Sequence, residues 1–169
     1  AVCSWEGTFS YSDIDSHSTM LAARLAHHGV GPEVFVPLCF EKSRWTIVAL
    51  LGVLKAGGAF ILLDPSQPVQ RLQNICQNVQ PSVALASEAN AGKATDLAPQ
   101  IVVLGDSEKT WIDCPSSAEI LRATPDNAMY AAFTSGSTSG QPKGIVITNK
   151  AFASCAAANG AAMHLSNTS

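Results

Sequence analysis

The chain of 169 residues has no basic block: its ten Lys and Arg are outnumbered by thirteen Asp and Glu, for a net charge of −3. Nucleic acids and anionic lipid surfaces are held by clustered cations, so neither is expected as a partner. Long unbroken apolar runs are also missing. The most apolar segment, "TIVALLGVLKAGGAFILL", is interrupted by Lys55, Gly57 and Gly58, which makes it a poor membrane span. The five cysteines, Cys3, Cys39, Cys76, Cys114 and Cys155, are scattered, odd in number and form no CxxC pair. That spacing suggests neither a zinc site nor a disulfide framework, and it predicts buried free thiols in a reducing, cytoplasmic setting. The four histidines, His17, His27, His28 and His164, show no metal spacing with nearby carboxylates. Trp5, Trp45 and Trp111 are not interleaved with basic groups, so they are expected to pack rather than to stack on bases. The chain begins at Ala1 without a basic region followed by an apolar core, so no secretory signal is expected.

What the chain does have is a core. A hydrophobic share of 47% against 14% charged residues fits one globular domain of ordinary size. "AVCSW" and "TFSY" flank Glu6-Gly7 and read as a short hairpin. A helix is expected from about Asp13, capped by Ser12 and ended by Gly29, with Ile14, Leu21 and Leu25 on one face. "VFVPLCF" reads as a buried strand. "RWTIVALLGVLKA" reads as a helix capped by Ser43 and ended at Gly57-Gly58; being apolar nearly all round, it should be sandwiched. The strand "AFILL" stops at Asp64-Pro65. A third helix, "PVQRLQNICQNV", turns Val69, Leu72, Ile75, Cys76 and Val79 inward. "SVALA", "IVVL", "AMYAAF" and "GIVI" complete the strands, residues 105–127 are expected to be a surface excursion, and the Ala-rich stretch from Asn149 reads as helical. Strands alternating with helices predict parallel pairing with right-handed crossovers, a layered α/β sheet.

Between the last two strands lies "AAFTSGSTSGQPKG", in which every residue from Thr134 to Gly140 is Gly, Ser or Thr. The loop follows a buried strand, at the carboxyl end of the sheet where ligands of open α/β folds commonly bind. Gly136 and Gly140 permit close backbone approach, and successive N–H groups can form an anion nest. The hydroxyls of Thr134, Ser135, Ser137, Thr138 and Ser139 add donors, and Lys143 adds a full charge. Together they suit a polyphosphate. The loop is not a Walker A loop, because Gln141 stands five positions after Gly136 where that pattern needs Gly. A Ser/Gly linker is the alternative reading of the same composition.

"FTSGSTSGQPKG" resembles the phosphate-binding signature of the adenylate-forming (AMP-binding) enzymes: acyl-CoA ligases, luciferases and nonribosomal peptide synthetase adenylation domains. "LKAGGAFILLDPSQPVQRL", Leu54 to Leu72, is similar to a second motif, in the form used by the peptide synthetase branch; "FSYSDID", Phe9 to Asp15, is similar to the first. The chain departs from the family at Ser139, usually Gly, at Asn149, often His, and at Phe60 and Ile61 within apolar character. The resemblance implies a layered, parallel-sheet, Rossmann-like N-terminal subdomain, incomplete, with residues 1–169 the N-terminal portion of an adenylation domain. It implies that Thr134, Ser135, Gly136, Ser137, Thr138, Ser139, Gly140 and Lys143 hold the ATP phosphates, with Thr138 the candidate contact to Mg²⁺ through the nucleotide. It places no catalytic residue in this chain, because the family's catalytic lysine lies in a later subdomain. The implied reaction makes an acyl-adenylate from an amino or related carboxylic acid, for transfer to the phosphopantetheine thiol of a carrier domain. The implied partners are the carrier and condensation domains of one synthetase. The isolated chain is expected to be inactive. An acyl-CoA or aryl-acid ligase is the alternative within the family, and a truncated non-catalytic nucleotide-binding or interaction module the alternative outside it.

Overall fold

The computed structural model describes residues 2–107, 119–134 and 143–160. The chain opens with the expected hairpin, β1 (Val2–Ser4) against β2 (Gly7–Phe9). Helix α1 (Tyr11–His27) follows, and its cap is Ser10 rather than Ser12. Ser10 Oγ accepts the Asp13 N–H at 3.2 Å, and the Asp13 carboxylate accepts the Ser10 N–H at 2.8 Å. Both serines have an aspartate three residues on; the apolar neighbours decide between them. With Ser10 as cap, buried Phe9 and Ile14 occupy the two staple positions and share one core. With Ser12 as cap, exposed Tyr11 would stand there instead. Helix α2 (Arg44–Lys55) is capped by Ser43 as the pattern predicts, Ser43 Oγ accepting the Trp45 N–H at 3.1 Å. None of its residues is exposed, so it is indeed sandwiched.

The remaining elements are β3 (Phe35–Cys39), β4 (Ala59–Leu63), α3 (Val69–Val79), β5 (Val83–Ser87), a 3-10 turn at Glu88–Asn90 running into α4 (Ala91–Ala94), β6 (Gln100–Leu104), β7 (Ala128–Thr134), β8 (Lys143–Thr148) and α5 (Asn149–Gly160). Six strands form one sheet in the order β6-β5-β3-β4-β7-β8. The first five are parallel; β8 is antiparallel to β7, against the expectation of parallel pairing throughout. Chain length explains this. Only residues 135–142 separate the two strands, and a parallel crossover needs a dozen residues or more.

Side chains alternate across the strands as period two requires. Val36, Leu38, Phe60, Val83 and Leu85 face α1 and α2, while Ile61, Leu63, Ala84 and Ala86 face α3 and α4, giving a three-layer α/β/α arrangement. On α3, Leu72, Ile75 and Cys76 are buried, but Val69 is exposed because it lies in the first turn, beyond the edge of the layer it was expected to join. Trp45 is buried and meets the Phe9 ring edge-on at 5.0 Å. Trp5, expected to pack, stands at the hairpin turn 70% exposed; Trp111 lies outside the described residues. Cys39 and Cys76 are buried thiols, whereas Cys3 and Cys155 are exposed, contrary to expectation. Cys155 is exposed because no described side chain of α5 is buried at all. Of the surface excursion, residues 119–126 are exposed and without regular structure.

Candidate functional site

Strand β7 delivers Thr134 to the carboxyl edge of the parallel sheet, and β8 starts at Lys143 directly beside it. The two are Cα partners, and Thr134 Oγ1 donates to the Lys143 carbonyl oxygen at 3.5 Å. Both residues are exposed. Thr134 and Lys143 are the two candidate site residues within the described chain; Ser135, Gly136, Ser137, Thr138, Ser139 and Gly140 lie outside it. The ladder that closes the loop's ends runs from Thr134↔Lys143 back to Ala128↔Thr148. A tether between separately moving domains would not have its ends zipped together in this way, so the linker reading falls.

The backbone behind Lys143 is fixed by packing. Gly144 lies opposite Phe133, and a Cβ at 144 would come within 3.1 Å of the Phe133 ring. That ring is half-buried against the α3 side of the core, so it covers Gly144 like a lid on one side of the ladder. The adjacent parallel strand, β4, ends in the Asp64-Pro65 turn. There Asp64 Oδ1 accepts the Ser66 N–H at 2.9 Å, and hydrogen bonds from the Ser66 side chain and then its backbone hold the Asp64 carboxyl below the usual carboxylate range. Lys93 Nζ donates to the Pro65 carbonyl at 2.7 Å. These contacts make Asp64 and Pro65 turn residues, the structural part expected of them.

A concavity of about 120 Å³ opens at the carboxyl ends of β3, β5 and β6, lined in part by Glu6, Glu41, Glu88 and Asp106. Its acids are already engaged. Ser43 Oγ donates to Glu6 at 2.5 Å, Ser87 Oγ donates to Glu41 at 2.6 Å alongside Asn90, and Arg44 pairs with Asp106 at 2.5 Å. Four carboxylates repel phosphate, so this concavity does not suit a polyphosphate. Among the described residues no group of His, Cys, Asp and Glu could hold a metal ion, and no helix is long and apolar enough to cross a membrane.

The donor set at the loop suits a nucleotide's phosphates: neutral hydroxyls that both donate and accept, and one ammonium group. The sequence marks Asn149 only as a departure from the family and a helix start, not as a tie between segments; its Nδ2 donates to the Asn127 carbonyl at 3.1 Å and the Thr124 carbonyl at 3.3 Å. It lies at the far end of β8, where a His would offer different hydrogen-bonding geometry. Only the contact partners, distant in sequence, could have revealed it.

Solved structures share this architecture. The amide bond synthetase McbA from Marinactinospora thermotolerans superposes with a TM-score of 0.79 at 22% identity, over 94% of this chain and 34% of its own. The nonribosomal peptide synthetase FmoA3, in its alpha-methyl-L-serine-AMP bound form, superposes with a TM-score of 0.74 at 20% identity, over 88% of this chain and 16% of its own. The fold is therefore that of the adenylate-forming enzymes. The family model of the AMP-binding enzymes matches residues 1–167. Among curated relatives, the chain is 46% identical over 167 residues to the nonribosomal peptide synthase roqA of Penicillium rubens, covering 99% of this chain and 7% of that protein. It is 49% identical over 158 residues to D-lysergyl-peptide-synthetase subunit 2 of Epichloe festucae var. lolii, covering 90% of this chain and 12% of that protein. The chain belongs to the AMP-binding enzyme family, and it spans only 7% and 12% of the length of these two curated relatives.

Proposed function

We propose that this chain is the N-terminal portion of an adenylation domain and that it grips the phosphates of ATP while an amino or related carboxylic acid is activated. The observation that carries the reading is the Ser/Thr/Gly loop whose ends, Thr134 and Lys143, are zipped together at the carboxyl edge of the sheet. In the reaction the acid's carboxylate oxygen attacks the α-phosphorus of ATP, the bond to the bridging oxygen breaks, and pyrophosphate leaves. The acyl-adenylate then loses AMP to a carrier-domain phosphopantetheine thiol, in the setting of a peptide synthetase with condensation domains. The hydroxyls of Thr134, Ser135, Ser137, Thr138 and Ser139 and the Lys143 ammonium would hold the β- and γ-phosphates, and Gly136 and Gly140 would let backbone amides join them. Mg²⁺, reached through the nucleotide at Thr138, would neutralise charge on the leaving pyrophosphate. The loop's contribution is position and charge compensation rather than bond-making. The remaining catalytic group, the family's lysine, lies outside these 169 residues, so the isolated chain should not turn over.

ATP–pyrophosphate exchange on the intact parent polypeptide, with a panel of amino, aryl and fatty acids, tests this. Exchange should depend on one acid, and Lys143→Ala and Thr138→Ala should each lower it by about 10- to 100-fold, the scale of losing a charge-assisted contact to the phosphates. Exchange with an aryl or fatty acid alone would move the protein to the ligase branch of the family. A folded protein that binds ATP and exchanges with no acid would instead be a non-catalytic nucleotide-binding module.

A further inference from the structure

The end of the β7–β8 hairpin opposite the loop is pinned by a side chain from a distant turn. Gly31, Pro32, Glu33 and Val34 form a turn closed by the Val34 N–H to the Gly31 carbonyl at 3.1 Å. Glu33 takes the third place with φ +65°, where a type II turn ordinarily uses Gly or Asn. The strained conformation aims the carboxylate at the start of β7. Glu33 Oε1 accepts the Asn127 Nδ2–H at 2.9 Å and the Ala128 N–H at 3.0 Å. Asn127 in turn accepts from the Thr124 N–H and hydroxyl at 2.7 and 2.8 Å, and its carbonyl accepts the Asn149 N–H at 3.0 Å. One carboxylate thus ties together the turn before β3, the entry to β7 and the exit from β8.

The hairpin needs such a tie. Strand β7 meets its parallel neighbour β4 through only two Cα pairs, Phe60↔Tyr130 and Ile61↔Ala131, where β3 and β4 share five. With a single short ladder the hairpin could pivot on the sheet, and the loop at its far end would swing with it. We propose that Glu33 is a positioning residue that latches the β7–β8 hairpin to the sheet, and thereby fixes where Thr134 and Lys143 present the loop. That a non-glycine residue holds a left-handed turn position here is accounted for by this role, since glycine would satisfy the turn alone.

The test uses the intact parent polypeptide carrying Glu33→Gly, Glu33→Gln or Asn127→Ala. Glycine suits φ +65° and leaves the turn unstrained, so a purely structural Glu33 would be replaced without penalty. The latch instead predicts that Glu33→Gly speeds hydrogen exchange in peptides covering 128–134 and 143–148 by about tenfold, and that Glu33→Gln, which keeps an acceptor oxygen, restores most of the protection. The double variant Glu33→Gly/Asn127→Ala should be little worse than either single one. Unchanged exchange in both strands overturns the latch. If Glu33→Gly does not fold, Asn127→Ala removes one of the two contacts to Glu33 and leaves the Ala128 N–H in place, so it should speed exchange in the same two strands by a smaller factor, and no change would overturn the latch. A second arm rests on the adenylation reading: the KM for ATP should rise about 3- to 10-fold in Glu33→Gly, with kcat and the acid's KM held. Loosened strands with an unchanged KM for ATP would overturn the positioning of the loop. A wild-type protein without exchange activity would sink the adenylation reading, while hydrogen exchange would still decide the latch.

Discussion

Gly57 shows how one residue of a motif answers to two demands. As the first glycine of "AGGAF" it is legible in the sequence as the end of α2, and its φ of +84° agrees with that role. The second demand is invisible in the sequence, because it comes from residues far along the chain. The surface segment after residue 119 passes so close that a Cβ at 57 would run into the Leu121 carbonyl oxygen. Neither the backbone oxygen nor the turn can yield cheaply. Gly57→Ala should therefore destabilise the fold by about 2–4 kcal/mol, combining left-handed strain with displacement of the covering segment. Gly92→Ala, where an added Cβ meets nothing within 4 Å, is the control and should stay near wild type in urea melts. The cysteines make the same point about reach. Burial pushes the Cys76 thiol up to about 12, with Cys39 beside it adding to the shift, and both fit the expected inert core thiols. For Cys3 and Cys155 composition alone could not say which surface would be covered.

At the scale of elements, periodicity located the strands and helices well, and the failures are informative. Helix α1 was legible as an amphipathic segment, but its start was not, since Ser10 and Ser12 both precede an aspartate at the third position. Packing of Phe9 with Ile14 chose between them. The choice can be measured. Ser10→Ala should cost about 1 kcal/mol, the usual worth of a capping hydroxyl, while Ser12→Ala on the exposed first turn should lie within about 0.5 kcal/mol of wild type. Equal losses at the two positions would restore Ser12 as a partner in the cap. Acid should weaken the same cap: Asp13 is held below its ordinary range by its hydrogen bonds to Ser10, so its contribution fades as pH falls through its folded-state value. Strand β8 teaches a different lesson. "GIVI" is a strand by composition whichever way it runs; its direction is dictated by the length of the preceding loop. That length, eight residues from 135 to 142, was in plain view, and the rule on crossovers could have been applied to it.

For the whole molecule, the alternation of strands and helices made the layered α/β class legible, and the loop's composition carried the proposal of phosphate binding. What stayed hidden was how the loop is mounted, because the mounting depends on Glu33, Asn127 and Asn149 meeting across the fold. Coverage of the sheet also differs from strand to strand in a way no local pattern predicts. Through β3 and β5 both faces are covered, and in β4 all but Leu62, 58% exposed, but in β8 the neighbours Ile145 and Val146, which point to opposite faces, are each about half exposed, at 52% and 51%. Phe152 on α5 is 45% exposed, and β8 is an edge strand with its outer backbone groups unpaired among the described residues. An apolar edge open on both faces is a template for another chain. The 169-residue polypeptide made alone should therefore self-associate at micromolar concentration, with an average mass that rises with concentration in light scattering. Ile145→Lys and Val146→Glu together place a charge on each face and should return it toward monomer without lowering the melting temperature of the three-layer core. A wild-type chain that stays monodisperse and monomeric while melting cooperatively would overturn the reading of this edge as a template.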